Sequence, residues 1–493
     1  MEYDIILIIG ETYFDHPLCG SAMIKRWLEH NSYSVGLIEK PQNSEDVKKL
    51  GKPKLFFGIT SGSVDSMLRK YTPMKRIRDD TIPDRADIVY SNWVKEHFKD
   101  SIIVLGGTEA TLRRFTHYDY WQNSLRKPIL LDSRADILVY GSGEKQVVEI
   151  AEKLKQNKEL AGIKGTCIIS KELPSGFLEM PSHEDVSESK ERFCDMQLMF
   201  SNNKNLAQKT GTRYVLQYRM PEYTSKDLDE YCSLPFTREV PKDLRGFEFS
   251  VVTHRGCIGN CNFCTLKLTQ GNKIISRSED SILDEIKKIT RLEHFKGNID
   301  DLGGPSANMY GMDCVKCNNQ NCIDCLKLDR TNKKLISLLR KAKKIDGVRH
   351  VYIRSGIRYD LASDEYLEEI KDCIYDTLRI APEHVSKNIL ELMNKNKGDM
   401  KKFISRFEKL KSGKELSFYF MVGHPGSTVD DSKKLKEFVK KLKNWKNVQV
   451  FTPTPMSISS CMYYTSLNPF TKKKIYVPYT YKERKEQKNI VMS

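Results

Sequence analysis

Short apolar runs alternate with amphipathic segments over the first third of the chain. Five runs have the length of a single strand, and helix-like or polar segments separate them: residues 4–10, 34–39, 55–60, 101–105 and 135–140. Strands that alternate with helices form mostly parallel sheets. The pattern therefore predicts an α/β fold with a doubly wound parallel sheet over residues 1–160. Glycines such as Gly10 and Gly141 lie at the carboxyl ends of these strands, where such sheets bind ligands.

The alternation resumes near residue 247, after a stretch that lacks it. Residues 161–245 are polar and interrupted by prolines, and we expect an irregular connector there. Six strand-like runs follow, separated by helical segments: residues 247–253, 298–301, 350–353, 377–380, 416–422 and 448–452. Six strand–helix units predict a partial (β/α)6 barrel over residues 246–460. Residues 461–493 are expected to form a basic C-terminal tail.

The charge of the chain is strongly positive. Its 493 residues include 81 Lys and Arg against 65 Asp and Glu, which gives a net charge of +16. A basic protein attracts polyanions, so nucleic acid is a candidate partner, although a lysine-rich surface also serves solubility. The apolar runs are far shorter than the roughly 20 residues that cross a membrane, and the first residues lack a basic leader. We therefore expect a cytoplasmic protein with no membrane partner.

Three clustered cysteines give the most specific chemical signal. Cys257, Cys261 and Cys264 have a C-x3-C-x2-C spacing directly after the first strand of the predicted barrel. A four-iron cluster commonly takes four cysteines, so three ligands leave one iron open. An open metal position distinguishes a catalytic site from a structural one. The alternative is a zinc site with His254 as fourth ligand, although zinc ligands usually come as two short pairs.

A second cysteine group lies in an insertion of the predicted barrel, residues 312–327. It consists of two C-x2-C pairs separated by four residues: Cys314, Cys317, Cys322 and Cys325. Four thiolates complete a tetrahedral zinc site or hold an iron–sulfur cluster. Structural zinc is the first expectation and an auxiliary iron–sulfur cluster is the alternative. The other six cysteines are dispersed and are expected to be small buried hydrophobic residues.

Several motifs resemble those of one known family. The first cysteine spacing resembles that of the radical S-adenosylmethionine (SAM) enzymes, and motifs across nearly the whole chain resemble the YgiQ-type radical SAM family. These motifs are residues 13–17, 51–58, 117–121, 277–281, 301–309, 355–360, 380–384 and 423–426. The resemblance implies a [4Fe–4S] cluster on Cys257, Cys261 and Cys264 that binds SAM at its open iron. It further implies reductive cleavage of SAM to a 5′-deoxyadenosyl radical.

The resemblance also implies which residues bind SAM at the ends of the barrel strands. A glycine pair ends the second strand, arginine and serine side chains follow the third, and an acidic residue follows the fourth: Gly303, Gly304, Arg354, Ser355, Arg358 and Glu383. Glu383 and His384 are also candidate catalytic residues, because a histidine exchanges protons near neutral pH. The alternative role for the arginines is structural pairing with Asp360 or Glu383.

The expected function is that of a radical SAM enzyme with an unspecified substrate. Its electron donor would be a reductase or a flavodoxin- or ferredoxin-type protein. One alternative is an RNA-modifying or cobalamin-dependent radical SAM methyl(thio)transferase, because a doubly wound domain before the barrel is similar to cobalamin-binding arrangements. Asp15 and His16 have the residue types of a base-off cobalamin site at a different spacing. The second alternative is a non-catalytic metal-binding module that binds nucleic acid.

Overall fold

The computed structural model describes residues 2–314, 322–445 and 447–493. The chain forms two compact units, and each draws on several segments of the sequence. Unit 1 comprises Met1–Glu222, Leu234–Phe236 and Thr452–Ile475, and unit 2 comprises Tyr223–Ser233, Thr237–Phe451 and Tyr476–Ser493. The division therefore differs from the predicted boundaries at residues 160, 245 and 460.

Unit 1 is built on a nine-stranded sheet. Its strands, together with one separate hairpin (β5 and β6), are β1 (Ile5–Ile9), β2 (Val35–Glu39), β3 (Phe56–Thr60), β4 (Ile102–Leu105), β5 (His117–Asp119), β6 (Ser124–Arg126), β7 (Ile137–Val139), β8 (Thr166–Ser170), β9 (Leu178–Met180), β10 (Leu206–Thr210) and β11 (Arg213–Gln217). The sheet order is β2-β1-β3-β4-β7-β8-β11-β10-β9. The first five strands in this order are parallel, which confirms the predicted parallel sheet.

The second half of this sheet corrects the prediction of an irregular connector over residues 161–245. Strands β8, β11 and β10 pair antiparallel beside β7, and β9 pairs parallel with β10 at the edge. Several positions of β9, β10 and β11 are exposed or half-exposed, so these strands lack the continuous apolar run of a central parallel strand. Their polar composition concealed them in the sequence.

Unit 2 contains the remaining strands among the described residues. They are β12 (Ser250–Val252), β13 (His254–Arg255), β14 (Ile275–Ser276), β15 (Asn298–Ile299), β16 (Asp301–Gly303), β17 (His350–Val351), β18 (Thr377–Glu383), β19 (Glu415–Val422) and β20 (Asn447–Val450). Parallel ladders join β12 to β16, β15 to β17, and β18 to β19 to β20. A parallel bridge between Ile357 and Ile380 links the segment after β17 to β18. Neighbours in sequence are thus neighbours in the sheet, as the predicted partial barrel requires.

Helices follow the strands in both units. Their bounds are α1 (Gly20–His30), α2 (Ser66–Lys70), α3 (Ala86–His97), α4 (Gly107–Leu112), α5 (Ile129–Ser133), α6 (Glu144–Lys155), α7 (His183–Glu188), α8 (Lys190–Met199), α9 (Ser225–Cys232), α10 (Leu266–Thr269), α11 (Glu279–Ile289), α12 (Lys333–Ala342), α13 (Asp364–Ile370), α14 (Lys387–Leu392), α15 (Met400–Lys409), α16 (Val429–Val439), α17 (Ile458–Thr465) and α18 (Tyr481–Met492). Across the described ranges, no helix combines the length and the apolar character needed to cross a membrane.

The C-terminal segment differs from the predicted basic tail. Helix α17 lies in unit 1 and is buried over most of its length. Helix α18 belongs to unit 2 and begins with a capping box, in which Thr480 and Glu483 exchange side-chain and backbone hydrogen bonds. The lysines of α18 concealed its buried positions, which include Gln487 and Val491.

Candidate functional site

The three clustered cysteines lie on a loop that follows the first barrel strand, β12. Strands β13 and β14 pair as an antiparallel hairpin at the base of this loop. Gly256 has a left-handed φ of +89°, and a Cβ there would overlap the carbonyl oxygen of Lys273, so the turn requires glycine. The backbone N–H of Cys257 donates to the carbonyl of Gly271 at 3.1 Å. The hairpin therefore closes the loop and positions its first cysteine.

The same loop is docked on the segment that ends helix α14. Asn262 donates from its backbone N–H to the carbonyl of Met393 (2.9 Å) and from Nδ2 to the carbonyl of Leu392 (2.8 Å). Asn394 Nδ2 in turn donates to the carbonyl of Asn260 at 2.9 Å. The last carbonyls of a helix lack partners within the helix, so the loop satisfies groups that need a donor. These bonds hold the middle of the cysteine loop in one conformation.

An arginine lies against one of the cysteine sulfurs. Arg358 Nη1 is 3.5 Å from Cys261 Sγ, while Nε and Nη2 donate to the two carboxylate oxygens of Asp360 at 2.9 and 2.6 Å. Burial opposes the charge of this guanidinium, but its pairing with Asp360 holds the pKa of Arg358 above its usual value. The bidentate pair fixes the arginine in place. The cysteine loop therefore has a permanent positive charge beside it.

The thiols influence one another and two lysines. Burial and the sulfur of Cys261 raise the pKa of Cys257, and together they raise that of Cys264 to about 12. Lys395, which is 8% exposed, opposes both increases. Burial lowers the pKa of Lys267, against the effect of the Cys264 and Cys261 sulfurs. Metal binding removes thiol protons, and buried cations stabilise the resulting thiolates. This donor set fits a cluster held by three cysteines.

The predicted glycine pair ends strand β16, beside the end of β12 where the cysteine loop begins. A Cβ at Gly303 would lie 3.3 Å from Ser355 Cβ, and a Cβ at Gly304 would lie 2.5 Å from Cε1 of His254. The imidazole of His254 is fully buried, and its Nδ1 lies 2.8 Å from Thr253 Oγ1. Packing therefore also favours glycine at position 304, since a side chain there would displace His254.

The two residues after the third barrel strand have different surroundings. Asp301 Oδ1 accepts the backbone N–H groups of Arg354 (2.8 Å) and Ser355 (3.1 Å), and Ser355 Oγ donates to Asp301 Oδ2. The Arg354 guanidinium donates to the carbonyl of Gly246 at 2.5 Å and lies 4.9 Å from the ring centre of Tyr375. The structure thus brings Ser355 to the glycine pair, whereas the Arg354 side chain is engaged with Gly246 and Tyr375.

Glu383 and His384 lie at the end of β18 in buried surroundings. Burial raises the pKa of Glu383 to about 7, and the charges of Lys395 and Arg358 oppose that rise. Glu383 also has a left-handed φ of +69°, which is uncommon for a residue with a side chain. His384 Nδ1 accepts the backbone N–H of Ser386 at 3.0 Å, and burial lowers its pKa to about 4. Glu383 is therefore coupled to the cations of the cysteine site, whereas His384 is a neutral imidazole held within a turn.

The second cysteine group borders the first. Cys314, Cys322 and Cys325 are partly buried, and Cys317 lies outside the described residues. Cys322 packs on a hydrophobic cluster that also includes Cys257. Across the part of the chain that the structure describes, no set of three or more His, Cys, Asp or Glu side chains is arranged to hold a single metal ion. An iron–sulfur cube is larger than one ion, so its ligands stand farther apart.

Three residues of this site had no role assigned from the sequence. Asp301 orients the turn at Ser355, and Lys267 and Lys395 lie near the cysteine sulfurs. The lysines were not recognisable because the chain has 81 Lys and Arg residues and most of them are solvated. The remaining six cysteines are buried, as predicted: Cys19, Cys167, Cys194, Cys232, Cys373 and Cys461.

Three family models together match almost the whole chain. A Radical SAM N-terminal model matches residues 1–249, a Radical SAM superfamily model matches residues 251–439, and a domain of unknown function, DUF3362, matches residues 446–491. A UPF0313 protein of Methanocaldococcus jannaschii is 42% identical over 100% of this chain and 89% of its own length. A UPF0313 protein of Fusobacterium nucleatum is 40% identical over 99% of this chain and 95% of its own length.

A solved structure shares the fold at low sequence identity. The radical S-adenosylmethionine methyltransferase TsrM from Kitasatospora setae, solved with cobalamin and a [4Fe–4S] cluster bound, superposes with a TM-score of 0.55. It is 13% identical, and the match covers 94% of this chain and 79% of that one. At this identity the likeness establishes the arrangement of strands and helices and leaves the chemistry to the residues of this chain.

Proposed function

Because this chain belongs to the UPF0313 family and is a radical SAM enzyme, we propose that Cys257, Cys261 and Cys264 hold its [4Fe–4S] cluster. The observation that carries the proposal is the docked cysteine loop, with three mutually interacting thiols beside Arg358 and Lys395. Three thiolates leave one iron open for SAM. When bound, the cluster supplies the electron that cleaves SAM to methionine and a 5′-deoxyadenosyl radical.

The protein residues around the loop would bind and orient SAM. Gly303 ends β16 beside the end of β12, Ser355 lies next to it, and Asp301 fixes the Ser355 hydroxyl there. Burial raises the pKa of Glu383 to about 7, so both forms exist near neutral pH, and the protonated form would donate a hydrogen bond to a ribose oxygen of SAM. His384 would stay neutral and keep its turn in place, since its Nδ1 accepts the Ser386 N–H. Reduction would come from a flavodoxin- or ferredoxin-type donor or a reductase.

The test is cleavage of SAM by the reconstituted protein. After anaerobic reconstitution with iron and sulfide and chemical reduction, we expect 5′-deoxyadenosine to form from SAM. Cys257→Ala, Cys261→Ala and Cys264→Ala should each abolish it, because each removes one of three ligands. Cys373→Ala removes a buried cysteine of the same unit and is the matched control, which should retain cleavage. Continued cleavage by Cys261→Ala would refute the assignment.

We also propose that the second cysteine group holds a metal, either zinc or an auxiliary iron–sulfur cluster. The contact of Cys322 with the hydrophobic cluster of Cys257 supports a site that braces the cysteine loop. Iron and zinc are counted in the same sample for wild type and for Cys322→Ala. We expect the variant to lose the second metal and to keep the SAM-responsive absorbance of the first cluster. Loss of no metal would contradict a second site.

Cobalamin-dependent chemistry is the second candidate. The strand order β2-β1-β3-β4-β7 resembles flavodoxin-like sheets, which bind ligands where the order reverses between β1 and β3. TsrM shares this fold and is solved with cobalamin. His16 is fully buried and its Nδ1 accepts the N–H of Leu18, so we assign it no role as a cobalt ligand. Incubation with hydroxocobalamin followed by gel filtration tests the candidate, since bound cobalamin carries its visible absorbance with the protein.

A further inference from the structure

A cleft of about 550 Å³ lies at one end of the unit 1 sheet. Strands β8, β9 and β10 begin there, and β11, which runs antiparallel to β8 and β10, ends there. The residues just outside these strand ends line the cleft, among them Lys164, Asn205 and Tyr218. The volume is within the range of about 300–1,000 Å³ that is usual for small-ligand sites. The cleft therefore has room for a ligand and belongs to unit 1 alone.

The charge of this cleft is entirely positive. Lys164, Lys204 and Arg219 line it, and its lining includes no Asp or Glu. The three cationic side chains are exposed, and among the described residues no carboxylate pairs with any of them. Three converging unpaired cations favour a ligand with anionic oxygens, such as phosphate.

The turn that carries Lys204 is fixed from beneath by buried polar groups. Gln217 Nε2 donates to the carbonyls of Ser201 (2.8 Å) and Lys204 (3.0 Å), and Gln217 Oε1 accepts from Arg114 Nε at 2.8 Å. Arg114 and Gln217 are both fully buried. Arg114 Nη2 also donates to Asn202 Oδ1 at 2.9 Å. Such support lowers the conformational entropy lost on binding, so the turn is organised before a ligand arrives.

Hydrogen-bond donors and an aromatic ring complete the lining. Asn205 Oδ1 accepts the backbone N–H of Arg219 at 2.9 Å, which leaves the amide NH2 group of Asn205 as a donor. The Tyr218 ring packs edge-on against Phe177, with ring centres 5.3 Å apart. Leu178 beside them is 43% exposed. Cations next to an aromatic ring are the combination that binds the phosphates and stacked bases of single-stranded nucleic acid.

We propose that this cleft binds a nucleotide unit of a single-stranded nucleic acid. Lys164, Lys204 and Arg219 contact the phosphates, and Tyr218 with Leu178 supports a base. The proposal goes beyond the proposed function by naming a ligand class for a separate cleft, and the binding step needs neither the cluster nor SAM. A free nucleotide carries the same phosphate and base, so the experiment separates a strand from a nucleotide.

The experiment measures fluorescence anisotropy of a short labelled single-stranded RNA with the full reconstituted chain. The triple variant Lys164→Ala/Lys204→Ala/Arg219→Ala should weaken binding at least tenfold. It should also reduce the slope of log affinity against log salt by about 2, because each phosphate contact to a single strand contributes about 0.7. Tyr218→Ala should weaken binding about fivefold or more, since stacking on one ring contributes about 1–3 kcal/mol per base.

The matched control removes the same charge from other exposed positions of unit 1. Lys52→Ala/Lys99→Ala/Lys190→Ala changes lysines outside the cleft lining and should leave affinity within about twofold. Equal losses in the two triple variants, or no binding by wild type, would overturn the proposal. Displacement of the RNA by micromolar AMP would show that the cleft binds a free nucleotide and would overturn the proposal of a single strand. Formation of 5′-deoxyadenosine is assayed in parallel, so failure of RNA binding is distinguishable from failure of the cluster assignment.

Discussion

Buried charge is balanced in opposite ways in the two units. In unit 1, the carboxyl groups of Asp65, Asp87, Glu109 and Asp119 surround Arg113, and all five residues are essentially inaccessible to solvent. In unit 2, cationic side chains surround three thiols. Acids outnumber bases in the first group, whereas the second gains anions only when its cysteines lose their protons. The first group can neutralise its excess charge by binding protons, whereas the cations of the second group favour ionised thiols.

Protonation can neutralise the excess carboxyl groups of unit 1. Arg113 pairs with both oxygens of Asp65 at 2.8–3.0 Å. Asp119 forms an ion pair with Arg85 at 2.9 Å. Burial and the neighbouring Glu109 raise the pKa of Asp87 well above its ordinary value. Burial also raises the pKa of Glu109. An excess carboxyl group that is buried becomes neutral instead of remaining charged.

In unit 2, protonation does not remove the charge of the arginine. Arg358 and Lys395 remain beside Cys257, Cys261 and Cys264 whether or not the thiols are ionised. A proton cannot neutralise a guanidinium, so the arginine is satisfied by Asp360 and by sulfur. The comparison shows that a buried excess of acid is compatible with a purely structural role. Cations beside buried thiols instead favour the thiolate form, which is the form that binds metals.

The largest effect is expected when the central cation of unit 1 is removed. Arg113→Ala leaves Asp65 and Asp119 without their shared partner, and breaking a buried pair typically costs about 3–5 kcal/mol. The free energy of unfolding in urea at pH 7 measures it. Arg85→Ala is the control, because Arg85 is more exposed and Asp119 keeps Arg113 nearby, so its cost should be about 1 kcal/mol. Equal costs would show that Arg113 is not the centre of the group.

An intermediate effect is expected when the cysteine loop is distorted without touching a cysteine. Gly256→Ala forces a left-handed φ on alanine and overlaps the Lys273 carbonyl, for a cost of about 2–3 kcal/mol. Gly413→Ala, outside the cysteine loop, has a left-handed φ of +71° with open space around the new Cβ, so it should cost only about 1 kcal/mol. Iron retained after reconstitution is the second readout. We expect Gly256→Ala to lose iron and Gly413→Ala to retain it; equal retention would show that the hairpin does not position Cys257.

The sequence predicted the parts of this molecule that depend on local chemistry. The parallel strands of both units and the radical SAM class are confirmed, since continuous apolar runs and cysteine spacing are visible in one dimension. Strands β9 to β11 escaped prediction because they lack a continuous apolar run, and β11 pairs antiparallel with β8, which is distant in the sequence. The sequence did not predict that Lys267 and Lys395 lie near the cysteine sulfurs, because only the packing of the folded chain brings them there. The pairing of Arg358 with Asp360 had been an alternative to SAM binding, and the structure adds a contact with Cys261.

The smallest effect on stability is expected for Asp87, whose pKa is raised, in contrast to Asp119, whose pKa is lowered. Asp87→Asn should change the free energy of unfolding at pH 7 by less than about 1 kcal/mol, because the buried carboxyl already carries a proton. Its raised pKa stabilises the folded state at low pH. This contribution is lost as pH rises above the ordinary value of 3.8 toward the folded pKa, and Asp87→Asn should remove that decline.

Asp119 provides the contrast that makes this small effect informative. Burial opposes its charge, but Arg113 lowers the pKa of Asp119, so its contribution is present above pH 3.8 and is lost as pH falls. Asp119→Asn should therefore destabilise unit 1 at pH 7 by several times more than Asp87→Asn, in urea titrations at a series of pH values. A large loss at pH 7 in Asp87→Asn would mean that Asp87 is ionised. The excess acid of unit 1 would then require a bound cation.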